Sequence, residues 1–376
     1  MMFFFMLNYI AFIFTAWSNI NIKLYMLWII LVFSVTAFLY DPFMQVSFSG
    51  GEGVDLCRHF ESLDLIRLGL DEGIYIEAPM SAVYLKVIAY LFDDNSFLPL
   101  ISVLLNYGLV FFTFNKFFRL LKLNTSLQRC AICMILMCEV FFGIMNNIRY
   151  PFAITILFLG LYFDIVKNHM LSIFLYCLSV LMHPGVGMLL IVRCVSFIKL
   201  KYSIMCIAIL TLVMSNYLET VLEVLISFFS PFPDFQVLLL AISLKGVTYS
   251  SGGIYTISLS FRLLTIYMSL FLLFCYLVNR YCGQYREEFK YVYRMSILIP
   301  LLSVVGIVTN FMGAHFSGRL MDISPFLIAL LVVSALNDLS KNENYIFFKL
   351  IFFIIPIPYI CAYLFGIYPS WLYLGL

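Results

Sequence analysis

Few side chains in this sequence are equipped for chemistry, and most of those lie where a polar group is costly. Arg149 follows Asn146-Asn147-Ile148 and stands directly before Tyr150-Pro151, between the end of one apolar run and the start of the next. A planar guanidinium there either grips paired phosphate or carboxylate oxygens with two parallel N–H donors or carries its charge out to an interface. His183 lies between an apolar run and Pro184-Gly185. Imidazole titrates near neutrality and suits proton transfer, while capping a helix is its plainer role. Arg319 and Asp322 sit three positions apart on one helical face, the spacing of an internal ion pair. Glu139 falls inside an apolar run, where a carboxyl group is costly unless neutral or partnered. The stretch Gly50-Gly51-Glu52-Gly53-Val54-Asp55, followed by Arg58 and His59, is glycine-rich and acidic. It lacks the lysine and strand context of a phosphate-cradling loop, so it either holds a carboxylate near a substrate or forms a flexible turn. HExxH, GxSxG and paired aspartates at DxD spacing are absent, against a zincin, an ordinary serine hydrolase and a cytosolic nucleotide-sugar transferase.

The elements that must position these residues are apolar. Of 376 residues, 64% are hydrophobic and 11% charged, with mean hydropathy +1.03, which excludes a water-soluble globule. Apolar runs cover Met2–Trp17, Leu24–Tyr40, Phe97–Phe114, Cys130–Met145, Phe152–Val166, Leu171–Met182, Val186–Ile198, Ser203–Tyr217, Phe261–Val278, Met295–Met312, Leu320–Leu336 and Tyr345–Phe365. The expected fold is an all-α polytopic integral membrane protein with about 12–13 transmembrane helices forming one transmembrane domain. Its first run is expected to be a membrane helix, since no basic residue precedes Lys23 and no small-residue cleavage site follows. The net charge of +2 supplies no basic field, so no nucleic-acid partner is expected. Most of the ten cysteines lie in apolar runs and imply no disulfide framework. The CxxC spacing of Cys130 and Cys133 has no second pair, so these read as small buried side chains.

Basic residues in short loops orient such a bundle. Lys116, Arg119, Lys122 and Arg129 mark one cytoplasmic connection, and Arg280, Arg286, Lys290 and Arg294 another. Single crossings then put Lys167, Lys199, Lys201 and Lys341 inside. They also put Asn146–Arg149, the His183-Pro184-Gly185 turn of a helical hairpin, the 218–260 loop with Glu223, and the Gly313–Arg319 turn with His315 outside. Half of the twenty acidic residues fall between Asp41 and Asp94, as expected of an external loop over 41–96. Within it, Pro79–Phe92 reads as a short re-entrant or surface-lying helix.

The order of these elements carries a resemblance. Asn146-Asn147-Ile148-Arg149-Tyr150-Pro151-Phe152-Ala153, then Leu159–Lys167, then Leu178–Met182 before His183-Pro184-Gly185, resembles the EpsG-like branch of the Wzy-type polysaccharide polymerases. Gly53-Val54-Asp55 before Phe60 looks like that family's GxD…Y element, and Arg319 is similar to its late arginine. The likeness covers about Asp41 to Arg319. Tyr150 replaces the usual glutamine, Met182 the usual phenylalanine, and His59 or Phe60 the tyrosine.

The resemblance implies a GT-C-like fold and a glycosyltransferase at the periplasmic face of a bacterial inner membrane. Such an enzyme extends O-antigen or exopolysaccharide from undecaprenyl-pyrophosphate-linked oligosaccharide, among membrane lipids and alongside a chain-length regulator and other assembly proteins. Under that reading Arg149 and Arg319, with Lys245 as an extra cation, bind the leaving pyrophosphate. His183 and Asp55 compete as the base, and Glu52, Arg58 and His315 bind substrate. No cofactor or metal-ligand cluster is expected, and a Mg²⁺ held mainly by pyrophosphate stays compatible. Alternatives are a lipid-linked oligosaccharide flippase, a glycan ligase, and a membrane acyltransferase using His183. A flippase calls for cations lining a path at mid-membrane, where this sequence has few.

Overall fold

A computed structural model describes residues 2–43, 55–70, 75–139, 141–209, 224, 227, 259–282, 286–309, 319–340 and 345–362. Regular structure among them is entirely helical. Four helices, Phe97–Leu120, Arg262–Cys282, Glu287–Ile307 and Arg319–Leu339, are long and apolar enough to cross a membrane, and shorter apolar helices accompany them. The protein is a helical membrane protein.

The burial pattern agrees with that environment. On the Ile22–Phe38 helix, Leu24, Leu27, Leu31 and Val35 form an outward apolar stripe, while Tyr25, Ile29, Val32 and Phe33 are buried. The His169–Met182 helix goes further. Met170, Ile173, Phe174 and Leu181 are exposed, and the buried face is Ser172, Leu175, Ser179 and Met182. Small polar residues turned inward and large apolar ones turned outward suit lipid, where close helix contact and internal hydrogen bonds replace the hydrophobic drive of water.

The chain falls into two compact units, Met1–Val186 with Asn279–Gln284 and Ile328–Leu376, and Gly187–Val278 with Tyr285–Leu327. In the first, the Arg149–Ile165 helix packs along the His169–Met182 helix and against Phe97–Leu120, which in turn packs on Ile22–Phe38. Gly160 sets the first of these contacts. A Cβ there would lie 2.8 Å from Tyr176 ring carbons, so any other residue would force that ring to shift. Ser179 Oγ donates to the Ala153 carbonyl at 2.7 Å, and buried Thr155 donates to Asn106 Oδ1 at 2.6 Å. In the second unit, the Gly187–Val195 helix packs on Lys290–Thr309. There Arg193 is buried between the rings of Phe197 and Tyr291. Arg294 donates to the Ser196 and Ile198 carbonyls at 2.7 and 2.8 Å, satisfying orphan acceptors just beyond that helix.

Two elements differ from the sequence expectation, and a third follows it. The Cys130–Met145 run is broken, because the Thr125–Cys138 helix ends at an extended Glu139 and a separate short helix covers Phe141–Asn146. Part of the expected external loop is the Asp55–Arg67 helix. The stretch expected as a short helix forms Pro79–Leu91, roughly 20 Å long at 1.5 Å per residue and too short to cross about 30 Å of hydrocarbon alone. It packs on the Asp55–Arg67 and His169–Met182 helices. Most of the 218–260 loop lies outside the described residues.

Candidate functional site

The Asp55–Arg67 helix has low overall hydrophobicity, and it buries Leu56, His59, Phe60 and Leu63, spaced i, i+3, i+4 and i+7 along one face. Its C-terminal end is clamped by Arg67, which donates to Asp64 at 2.9 Å, to Asn95 Oδ1 at 2.5 Å and to the Phe92 carbonyl at 2.8 Å. The helix also touches Phe141–Asn146, which leads into Arg149. On this helix His59 lies close to the Arg149 charge.

Arg149 lies in the first turn of that helix and is only 9% exposed. Its guanidinium stacks 3.7 Å from the centre of the Tyr75 ring, a cation–π arrangement. Glu77 Oε1 lies 3.9 Å from Nη1, which is an ion-pair distance but too long for a hydrogen bond, and both side chains are 11% exposed. Among the described residues no hydrogen bond satisfies this guanidinium, so the donors of its fork are not consumed within the described protein.

Tyr75 is itself anchored. Its hydroxyl lies 2.6 Å from His59 Nδ1. Burial, with the Arg149 and Arg58 charges close by, pushes the His59 imidazole well below its ordinary range, so the ring is neutral at pH 7. A neutral ring with its proton on Nε2 takes the phenol hydrogen at Nδ1. Tyr75 reaches this position with φ +53, a left-handed conformation that a bulky residue adopts at a cost of order 1 kcal/mol. The turn closes when the Ala78 N–H donates to the Tyr75 carbonyl at 2.9 Å, and Pro79 then opens the next helix.

His183 ends the His169–Met182 helix in an extended conformation, before the 3-10 turn Pro184–Val186. Its Nδ1 accepts the Gly185 N–H at 3.0 Å, and its ring meets Tyr150 edge-on at 4.9 Å. A Cβ on Gly185 would sit 3.0 Å from that Nδ1, so glycine gives the ring room to fold back. Because Nδ1 accepts, the proton of the neutral ring is on Nε2. Ser81 Oγ donates to the Met182 carbonyl at 2.5 Å, tying this turn to the Pro79–Leu91 helix. Tyr150 follows Arg149 directly, so the His183 turn and the Arg149 cluster meet at one helix start.

Asp55 and Arg58 pair at 2.5 Å on the exposed side of their helix, with side-chain exposures of 37% and 58%. Both charges act on Arg149. Arg319 belongs to the second unit, where the Asp322 N–H donates to its carbonyl at 3.3 Å in a first helical turn. Glu52, Lys245 and His315 lie outside the described residues. The structure therefore gathers Arg149, Arg58 and Asp55 around His59, Tyr75 and Glu77. The sequence reading gave no role to Tyr75 or Glu77. The signal available for Glu77 was a carboxylate two residues before a helix-opening proline. No group of three or more His, Cys, Asp or Glu side chains able to hold a metal occurs among the described residues. No family model, curated protein or solved structure matches the chain.

Proposed function

We propose that this protein is a polysaccharide polymerase. It transfers a growing glycan from undecaprenyl pyrophosphate to the non-reducing end of a lipid-linked repeat unit at the periplasmic face of a bacterial inner membrane. The observation that carries this reading is Arg149: nearly buried, against a ring face and 3.9 Å from the Glu77 carboxylate, and with the hydrogen-bonding fork unspent among the described residues. A guanidinium braced in that way suits a diphosphate, whose paired oxygens take two charge-assisted hydrogen bonds and whose charge grows as the sugar–oxygen bond breaks.

Around it, Tyr75 fixes the plane of the guanidinium and His59 fixes Tyr75. His183 presents Nε2–H beside Tyr150, which suits holding a sugar or phosphate oxygen more than removing a proton. The exposed apolar stripe of the His169–Met182 helix suits contact with lipid, and a polyprenyl-linked donor would reach the site from that phase. The test is restoration of the gene to a polymerase-deficient strain that makes its own repeat units. Wild type is expected to produce a ladder of glycan lengths. Arg149→Ala and Arg149→Lys are expected to leave single repeats at equal membrane protein, since a point charge cannot reproduce the fork. A lysine variant with a full ladder would remove Arg149 from the reaction.

A further inference from the structure

We propose that the polyprenyl chain of the donor docks on the outward face of the Pro79–Leu91 helix, running from the Arg149 site along Ile76, Val83, Val87 and Leu91. This rests on the polymerase reading and names the surface that takes the lipid half of its substrate. The starting point is Ile76. It stands between Tyr75, whose ring lies against the Arg149 guanidinium, and Glu77, whose carboxylate lies 3.9 Å from it, yet its own side chain is turned outward and the residue is 52% exposed. A large aliphatic group exposed beside a nearly buried cation matches an amphiphile, with an anionic head for Arg149 and an apolar tail that begins next to it.

The helix that follows continues this surface. Ser81, Leu85, Ile88 and Ala89 are buried, whereas Val83, Val87, Tyr90 and Leu91 are exposed at i, i+4, i+7 and i+8, one face of the helix. Lys86 shares that face and adds an apolar methylene stem to it. From Val83 to Leu91 the stripe is roughly 12 Å long at 1.5 Å per residue, room for the first few isoprene units beside the pyrophosphate. The helix is fixed at its near end. Ser81 Oγ donates to the Met182 carbonyl at 2.5 Å, and the Tyr84 and Ser102 hydroxyls share a hydrogen bond of 2.7 Å. The docking face is therefore in place before the donor arrives, and binding the tail spends nothing on ordering it. The His169–Met182 helix offers a comparison. Its exposed Met170, Ile173 and Phe174 are equally apolar but lie toward the end remote from His183, where bulk lipid alone is expected to cover them.

The experiment measures binding of undecaprenyl pyrophosphate and of inorganic pyrophosphate to full-length protein in lipid nanodiscs. It compares wild type with the double variant Val83→Ser/Val87→Ser and with Ile173→Ser/Phe174→Ser, a control for general lipid contact. Val83→Ser/Val87→Ser is expected to weaken undecaprenyl pyrophosphate about ten-fold, the scale of two lost aliphatic contacts, and to leave inorganic pyrophosphate unchanged. Ile173→Ser/Phe174→Ser is expected to change neither affinity. A diazirine carried on the isoprene units nearest the pyrophosphate is expected to form adducts with residues 76–91, mapped by mass spectrometry after irradiation. Wild-type affinity for undecaprenyl pyrophosphate in Val83→Ser/Val87→Ser overturns the proposal. So do equal losses in the two double variants, or adducts confined to the His169–Met182 helix. Should wild type bind inorganic pyrophosphate as tightly as undecaprenyl pyrophosphate, this proposal alone fails. Should it bind neither, the polymerase reading fails first, and this proposal with it.

Discussion

Replacing Tyr75 by leucine removes its ring face and its hydroxyl while keeping a side chain of moderate size. The ring under Arg149, 3.7 Å away, is lost, and so is the hydroxyl 2.6 Å from His59 Nδ1. A cation–π contact at a largely desolvated site is worth about 2 kcal/mol, which corresponds to roughly 30-fold in the affinity of a ligand that needs the guanidinium fixed. Tyr75→Phe separates the two contributions. It keeps the ring and leaves the buried imidazole without its partner, costing about 1–3 kcal/mol of folding stability but little donor affinity. The assay is binding of undecaprenyl pyrophosphate to purified protein, beside thermal unfolding in the same detergent. Tyr75→Leu is expected to bind weakly, and Tyr75→Phe to bind nearly normally while melting lower. Wild-type affinity in Tyr75→Leu, or equal loss in both variants, would refute the idea that the ring face orients Arg149.

His183→Gln keeps a hydrogen-bond donor and should retain chain extension to within about ten-fold, whereas a loss of a hundred-fold or more would return the base role to His183. His59 links the site to pH. Its folded-state pKa is depressed, so the unfolded chain binds the extra proton first, and the stability due to its neutral burial is full above about pH 6.5 and declines as pH falls below that. The melting temperature of His59→Gln should therefore fall less than that of wild type between pH 7.5 and 5, and parallel curves would show that His59 does not titrate in this way. Gly160→Ala places a methyl 2.8 Å from the Tyr176 ring and should cost about 1–3 kcal/mol, measured by unfolding in detergent, with the loss reduced in a Tyr176→Ala background.

Apolar run length made most of the helices legible. Phe97–Leu120, Arg149–Ile165 and His169–Met182 follow runs that hydropathy alone delimits, and the helix break at His183 follows from Pro184, which disfavours helical backbone at the residue before it. The Asp55–Arg67 helix was hidden because a search for continuous apolar stretches passes over a polar, surface-type helix. Its Leu56, His59, Phe60 and Leu63 periodicity was nonetheless present. The end of a helix at Glu139 was invisible for the opposite reason, since the residues around it are uniformly apolar and carry no breaker.

At the site, Arg149 and His183 stood out because charge and imidazole are rare in such a sequence. Their environment did not follow from rarity. The role of Tyr75 depends on a left-handed turn that brings a distant helix start over its ring, and that of Glu77 on the same turn. The tautomer of His183 depends on a hydrogen bond from Gly185 two residues along. Such contacts come from tertiary folding and from side-chain direction, and residue type and spacing do not encode them one at a time.

The most direct measurement of the central claim places purified protein in lipid vesicles with undecaprenyl-pyrophosphate-linked repeat units and resolves the products by length. The account predicts a ladder of extended glycans with wild type and only unextended repeats with Arg149→Ala at equal protein. Transfer of intact, unextended repeat units across the vesicle membrane, abolished by the same substitution, would contradict it and identify a transporter.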